Sequence, residues 1–273
     1  MMLDVAGHQA YAYTGGKPFD AAKPTVVFIH GAQHDHSVWI LQSRYLAHHG
    51  YSVLALDLPG HGRSDGPLID TIEGMADWVV AVLDAAGVAR AVLVGHSMGS
   101  LIALDAAGRL PQRTSAIALV GSAYPMKVSD VLLSAARDDE PRAFEMINLW
   151  SHSGISHRPG NPGPGFSVFN ENMRLMERQK PGVLLNDFSA CNSYGAGAER
   201  APAVACPALF VLGTRDQMTP PKAARPLAQA IRDARIVEIP RCGHALMAER
   251  PDAVLEALTG FLAPLLSAER AAA

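Results

Sequence analysis

The chain has 273 residues and a formal net charge of −3 at pH 7, and 49% of its residues are hydrophobic. This composition is typical of a globular protein and excludes extensive disorder. The near-neutral charge argues against a nucleic-acid-binding protein, which would carry a basic face. Three cysteines without a CxxC pair argue against a disulfide framework and against a thiolate metal site.

The amino-terminal residues, MMLDVAGHQA, lack the basic segment and apolar core of a secretory signal. The longest uncharged apolar-rich stretch, residues 91–104, is interrupted by polar residues and is shorter than the roughly 20 apolar residues that span a bilayer. We therefore predict a soluble, cytoplasmic protein that does not bind membranes.

Short apolar segments alternate with longer helical ones along most of the chain. The first fifteen residues predict an antiparallel hairpin. Apolar, β-branched runs then predict strands over residues 25–30, 52–57, 91–95, 114–121, 207–213 and 235–239. Helical patterns occupy residues 37–49, 71–86, 97–110, 221–232 and 250–266. Since the strands are apolar almost throughout, we expect helices on both faces of a doubly wound, mostly parallel α/β sheet.

One long segment interrupts this alternation. Residues 122–202 contain no strong strand pattern, and helices are predicted over 129–137, 141–152, 166–178 and 181–194. Open α/β sheets bind their ligands beyond the carboxyl ends of the strands. We therefore predict a helical lid over residues 122–202, inserted into a core formed by residues 1–121 and 203–273. The Gly/Pro-rich segment 157–165 is either an ordinary loop or a mobile hinge.

The strongest chemical signal is the run Gly95-His96-Ser97-Met98-Gly99. It follows a predicted strand and opens a predicted helix, which is the setting of a G-x-S-x-G turn. The glycines let strand and helix pass closely, and the strained backbone projects the serine hydroxyl above the sheet. The positive end of the helix faces the oxygen that becomes negative during acyl transfer. We predict that Ser97 is a nucleophile.

A serine nucleophile needs a base, and the base needs an orienting carboxylate. His244 follows the last predicted strand and Asp216 follows the strand before it, so both are expected at the sheet edge that carries Ser97. The chain order serine, aspartate, histidine is that of one hydrolase architecture and differs from the trypsin-like and subtilisin-like orders. The backbone N–H groups of Met98 and Ala32 are the predicted donors of an oxyanion hole.

Taken together, five motifs resemble the α/β-hydrolase superfamily, and more narrowly its lid-bearing, single-chain bacterial esterase-like branch. They are HGA at 30–32, DLPGHGRSDG at 57–66, GHSMG at 95–99, GTRDQMTP at 213–220 and GHALMAERP at 243–251. The resemblance implies a Ser-His-Asp acyl-transfer mechanism with no metal or cofactor. It also implies that the serine at position 97 excludes relatives with an aspartate nucleophile, namely dehalogenases and epoxide hydrolases. The carbon–carbon-bond hydrolases often carry a tryptophan shortly after the histidine, and this chain does not.

We predict hydrolysis of a small or medium carboxylic ester through an acyl-enzyme. Thioesters, lactones and carbon–carbon bonds beside an activated carbonyl suit the same apparatus, and a non-catalytic small-molecule-binding module is the alternative from another class. A metallohydrolase is disfavoured, because the early histidine-rich region has the wrong spacing for a zinc motif.

The predicted lid supplies apolar side chains that are expected to cover the substrate. The predicted pocket residues are Tyr124, Trp150, Phe166, Phe169 and Met173. Three arginines of the same segment, Arg142, Arg174 and Arg178, are candidates to bind a substrate carboxylate, although exposed arginines are usually only solvated.

Overall fold

The computed structural model describes residues 1–154 and 167–272, and a sheet of eight strands lies at its centre. The strands are β1 (Met2–Val5), β2 (His8–Tyr13), β3 (Thr25–Ile29), β4 (Ser52–Leu56), β5 (Ala91–His96), β6 (Thr114–Val120), β7 (Ala208–Gly213) and β8 (Ala234–Ile239). Their order across the sheet is β1-β2-β4-β3-β5-β6-β7-β8. The first two strands form the predicted antiparallel hairpin, β2 pairs antiparallel with β4, and the other pairs are parallel. The predicted fold class is confirmed.

The helices lie close to their predicted positions. They are α1 (Ile40–His48), α2 (Ile72–Ala85), α3 (Met98–Arg109), α4 (Asp130–Asp138), α5 (Glu140–Ser151), α6 (Val168–Glu177), α7 (Val183–Ser193), α8 (Gly197–Ala203), α9 (Pro221–Ala230), α10 (Leu246–Glu249) and α11 (Pro251–Ala272). The Thr71 hydroxyl caps α2 by accepting a hydrogen bond from the Gly74 amide, and Gly87 follows the helix with a φ of +69°. The short helices α8 and α10 are absent from the sequence prediction.

Side chains from alternate strand positions pack on opposite faces of the sheet. Val27 belongs to the apolar cluster that includes side chains of α2 and α3, whereas Phe28 belongs to the cluster that includes side chains of α1 and α11. The expectation that helices cover both faces is wrong for β8, where the side chains of Ile236 and Val237 are 42% and 37% exposed. As the last strand of the sheet, β8 has a sheet neighbour on one side only.

The segment between β6 and β7, called the insertion below, contains α4 to α8. Its helices share a small apolar cluster of their own, which consists of Leu132, Ala136, Ala143, Phe144, Ile147, Met176, Leu184 and Phe188. Among the helices that the structure describes, none combines the length and apolarity needed to cross a membrane.

Candidate active site

Ser97 lies at the corner between β5 and α3, with φ +52° and ψ −117°. A non-glycine residue with positive φ is strained, and this strain is the expected feature of a nucleophile turn. The turn also depends on its glycines: a Cβ on Gly95 would lie 2.0 Å from the Gly99 carbonyl oxygen, and a Cβ on Gly99 would lie 2.4 Å from the Ile29 carbonyl oxygen. The backbone therefore has the geometry that the GHSMG motif predicts.

Asp216 and His244 are brought together from the loops after β7 and β8. The His244 Nδ1 donates a hydrogen bond of 2.8 Å to Asp216 Oδ2, and both residues are buried. The other carboxylate oxygen, Oδ1, accepts hydrogen bonds from the amides of Met218 and Thr219 at 2.9 and 2.7 Å. These contacts hold the carboxylate against the imidazole, as an orienting group requires.

The position of His244 is set by its neighbours as well as by Asp216. Its amide donates to the Ser151 carbonyl at 2.7 Å, and its carbonyl accepts a hydrogen bond of 2.9 Å from His96 Nε2. A Cβ on Gly121, at the end of β6, would lie 3.2 Å from His244 Nδ1. The imidazole therefore lies at the carboxyl ends of β5 and β6, beside the residue that precedes Ser97.

The two residues whose amides are the predicted oxyanion donors, Met98 and Ala32, both lie beside the turn at Ser97. Met98 is the first residue of α3, so its N–H has no acceptor within the helix. Ala32 follows Gly31, where an added Cβ would lie 3.2 Å from Ser97 Cβ and 2.9 Å from His96 Nδ1. The loop after β3 therefore passes directly against the turn at Ser97, and it does so because residue 31 has no side chain.

A cavity of about 340 Å³ opens above this turn. Its polar lining residues are Ser97, Lys127, Ser129, Gln217 and Thr219, and its apolar ones are Ala32, Met126, Val128, Leu132, Trp150, Phe188, Cys191 and Met218. Burial raises the pKa of the Cys191 thiol, so this side chain enters the wall as a neutral group. The cavity therefore combines a largely apolar wall with a few polar groups near the hydroxyl at residue 97.

The structure places only part of the predicted pocket in this lining. Trp150 contributes to it, and Phe166 lies outside the described residues, as does the segment 157–165. Tyr124 packs instead against Tyr194, with ring centroids 6.1 Å apart. Met173 packs against the apolar cluster of the insertion, and Phe169 lies against His152. None of these three side chains belongs to the described lining of the cavity.

The three candidate arginines are engaged elsewhere, and each forms an ion pair with a carboxylate. The pairs are Arg142 with Glu145, Arg174 with Glu177, and Arg178 with Asp35. Among the described residues that line the cavity, the cation is Lys127, and its Nζ donates to the Asn192 carbonyl at 2.9 Å.

Sequence reasoning missed Lys127 and Thr219 as site residues. The Thr219 hydroxyl donates to Asp216 Oδ2 at 2.7 Å and lies 3.0 Å from His244 Nδ1. A positional signal was available, because Lys127 follows β6 closely and Thr219 lies three residues after Asp216. Both therefore belong to loops at the carboxyl edge of the sheet.

The early histidine-rich region braces loops. His30 Nδ1 donates to the Gly31 carbonyl at 2.8 Å, and its Nε2 accepts from the Leu58 amide at 3.1 Å. Asp35, His36 and Asp57 bring ligand-type atoms within 4.8 Å of one another. These groups already bond to protein partners, since Asp57 Oδ1 accepts from His36 Nδ1 at 2.7 Å and Asp35 pairs with an arginine.

Comparisons with known proteins agree on one family. Residues 26–257 match the family described as "Alpha/beta hydrolase family". The chain is 29% identical to the putative carbamate hydrolase RutD of Klebsiella pneumoniae, over 90% of this chain and 94% of that protein. It is 30% identical to the pimeloyl-[acyl-carrier protein] methyl ester esterase of Chromobacterium violaceum, over 81% and 87% of the two chains. The solved enol-lactonase of Burkholderia xenovorans LB400 is similar with a TM-score of 0.85 and 25% identity, over 96% of this chain and 100% of that one.

Proposed function

Because the chain belongs to the alpha/beta hydrolase family, we propose that this hydrolase is a serine enzyme that cleaves a small or medium carboxylic ester. The observation that carries the proposal is the hydrogen-bonded pair of Asp216 and His244 at the sheet edge where the strained turn presents Ser97 to a cavity. A nucleophile, a base and an orienting carboxylate are the three groups that acyl transfer requires.

In the proposed mechanism the Ser97 hydroxyl attacks the carbonyl carbon of the ester while His244 Nε2 accepts its proton. Asp216 stabilises the imidazolium that forms, and the amides of Ala32 and Met98 donate to the oxyanion. When the tetrahedral intermediate collapses, His244 gives the proton to the departing alcohol and an acyl-enzyme remains. Water, deprotonated by the same imidazole, then attacks the acyl carbon, and His244 returns that proton to the Ser97 oxygen as the ester bond to serine breaks and the acid is released.

The cavity supports the proposed size of the acyl group and the proposed role of the insertion. Leu132 of α4, Trp150 of α5 and Phe188 of α7 line it together with Ser97 of the core. We infer that residues 122–202 act as a lid, because side chains of α4, α5 and α7 form part of the cavity wall. An apolar wall around a few polar groups suits a short or medium apolar acyl chain.

Lactone hydrolysis is the second candidate, because a lactone is an internal ester and passes through the same acyl-enzyme. The similarity to the enol-lactonase of Burkholderia xenovorans supports this candidate. Hydrolysis of thioesters or of activated carbon–carbon bonds remains an alternative for the same three catalytic groups. A non-catalytic binding module is disfavoured, because the chain keeps the serine, the histidine and the aspartate that acyl transfer needs. The cytoplasmic location expected from the sequence stays a prediction.

The test is a substrate panel with the purified protein and its Ser97→Ala variant. The panel contains p-nitrophenyl esters of increasing acyl length, lactones and thioesters. We expect turnover of short or medium acyl groups, and a loss of at least about 10⁴-fold in kcat for Ser97→Ala with an unchanged melting temperature. Turnover that survives the substitution, or covalent labelling by a fluorophosphonate at another residue, would refute the proposal.

A further inference from the structure

A buried carboxylate of the insertion contacts the loop that carries one predicted oxyanion donor. Asp187 lies on α7 with no exposed surface, and its Oδ2 accepts a hydrogen bond of 2.9 Å from the Gln33 amide. The same oxygen accepts a hydrogen bond of 2.9 Å from His61 Nε2, in the loop after β4. Gln33 directly follows Ala32, so the insertion holds the loop one residue away from the proposed donor.

The two peptide groups on either side of the Ala32 Cα are both held by side chains. In a trans peptide the carbonyl of one residue and the N–H of the next share a plane and point in opposite directions. The His30 Nδ1 bond to the Gly31 carbonyl therefore orients the plane that contains the Ala32 N–H. The Asp187 bond to the Gln33 amide orients the following plane. The His34 amide also donates to the Gly31 carbonyl, at 3.3 Å, and together these bonds hold the peptide planes on both sides of Ala32 and hence the direction of its N–H.

The turn needs such support because its backbone is unfavourable. Gln33 has a φ of +59°, in the left-handed region that non-glycine residues rarely occupy. Its side chain is also anchored to the insertion, since Gln33 Nε2 donates to the Met176 carbonyl of α6 at 3.0 Å. The loop after β3 therefore keeps this conformation through contacts with α6 and α7.

Electrostatic attraction strengthens the contact between Asp187 and His61. Burial would lower the pKa of His61, but the adjacent Asp187 carboxylate outweighs burial and raises it. Burial would likewise raise the pKa of Asp187, but the charge and hydrogen bond of His61 hold it below its ordinary value. The neighbouring His30, 4.9 Å from the His61 ring, has a pKa lowered to about 4, mainly by burial, and so remains neutral near pH 7. The pair thus presents an ionised carboxylate to the Gln33 amide.

We propose that Asp187 is a positioning residue that couples the insertion to the oxyanion hole, through the Gln33 amide and with His61 as its charge partner. The inference rests on the proposed function, because it assigns a task to a residue that does not touch the reacting atoms. It means that α7, besides covering the cavity, helps to hold the backbone segment that carries one of the two N–H groups proposed to stabilise the transition state.

The experiment compares Asp187→Asn and Asp187→Ala with the parent protein. Asparagine has the same shape and can still accept a hydrogen bond from the Gln33 amide, but it lacks the charge. Alanine leaves that amide without its acceptor. Loss of a whole oxyanion donor costs about 10²–10³-fold in kcat, so we expect a loss of roughly 10²-fold for alanine and about tenfold for asparagine. KM should change much less than kcat, because the donor acts on the transition state.

Asp105→Asn is the matched control. Asp105, on α3, is equally buried and also joins the core to the insertion, through an ion pair with Arg200 and a hydrogen bond from Tyr194, while it pairs with Arg109 of its own helix. It does not line the cavity. We expect this substitution to lower the melting temperature while kcat stays within about twofold of the parent value.

Inhibition by an alkyl boronic acid separates positioning from a purely structural role, because its adduct with a serine is a tetrahedral anion. In the Asp187 variants the inhibition constant should rise by the same factor by which kcat/KM falls. A fall in melting temperature with unchanged kcat, as in Asp105→Asn, would overturn the inference, and so would lost kcat with unchanged boronate affinity. If alanine prevents folding, Asp187→Asn alone decides. If the proposed function itself is wrong, the results differ: the boronic acid would not inhibit the parent protein, and Ser97→Ala would keep its turnover.

Discussion

Adding a single methyl group beside His244 tests the proposed base without removing any of its functional groups. Gly121 follows β6 with a φ of +56°. In Gly121→Ala the new Cβ would lie 3.2 Å from His244 Nδ1, 3.2 Å from Leu246 Cδ1 and 3.3 Å from His244 Cε1. Ordinary contacts of this kind begin near 3.4 Å. The imidazole must therefore move, or its surroundings must yield, by a few tenths of an ångström.

Two separate costs follow from this geometry. An L-residue in the left-handed region costs about 1–2 kcal/mol of stability. With an unfolding entropy of about 0.6 kcal/mol/K for a chain of 273 residues, the melting temperature should fall by about 2–4 °C. Misplacement of a reacting group by 1 Å can cost about 10²-fold in rate. A shift of about 0.3 Å should therefore lower kcat/KM by about fourfold.

Gly87→Ala separates these two costs. Gly87 has a φ of +69°, and no heavy atom lies within 4 Å of a Cβ built there. This control carries the same backbone penalty at the end of α2, away from the cavity. The assay is p-nitrophenyl ester hydrolysis at 25 °C, with a thermal melt of each variant. Equal activity of the two variants at similar melting temperatures would refute the view that the position of His244 limits the reaction.

Two further predictions concern charge. The ion pair of Asp187 and His61 should stabilise the parent over Asp187→Asn most between about pH 4 and 6.5. The pKa of His61 is raised in the folded protein, so its contribution to the free energy of unfolding is complete below about pH 6.5 and is lost as the pH rises through the pKa of the folded state. The pKa of Asp187 is lowered in the folded protein, so its contribution is lost as the pH falls through the folded-state pKa of this carboxylate. Urea unfolding of both proteins from pH 3 to 9 measures the difference, and a constant difference would contradict it. Lys127→Met should lower the preference for an ester with a carboxylate at the far end of its acyl chain over its neutral analogue, by up to about fivefold, since an exposed cation contributes up to about 1 kcal/mol. An unchanged ratio of the two kcat/KM values would show that this lysine only bonds to the end of α7.

The sequence by itself was sufficient wherever the structure depends on near neighbours in the chain. Gly95 indicated the turn at Ser97, because a side chain at this position would collide with the backbone of Gly99, four residues later. Thr71 indicated the start of α2, because its hydroxyl can accept a hydrogen bond from the amide of Gly74, three residues later. Asp216 and His244 could be paired in advance, because residues that follow parallel strands meet at one edge of the sheet.

Only the tertiary structure decided which apolar side chains face the cavity and which groups hold the loop after β3 in place. Trp150, Phe188 and Met173 all pack within the insertion, but only the first two also line the cavity, and a helical pattern marks all three simply as apolar. The reason is that apolar side chains are found both where a residue packs against other protein groups and where it contacts an apolar substrate. Asp187 and Gln33 are 154 positions apart, and no local rule relates them. Their contact exists because α7 folds back over the loop after β3, which places a carboxylate where a strained backbone turn needs an acceptor.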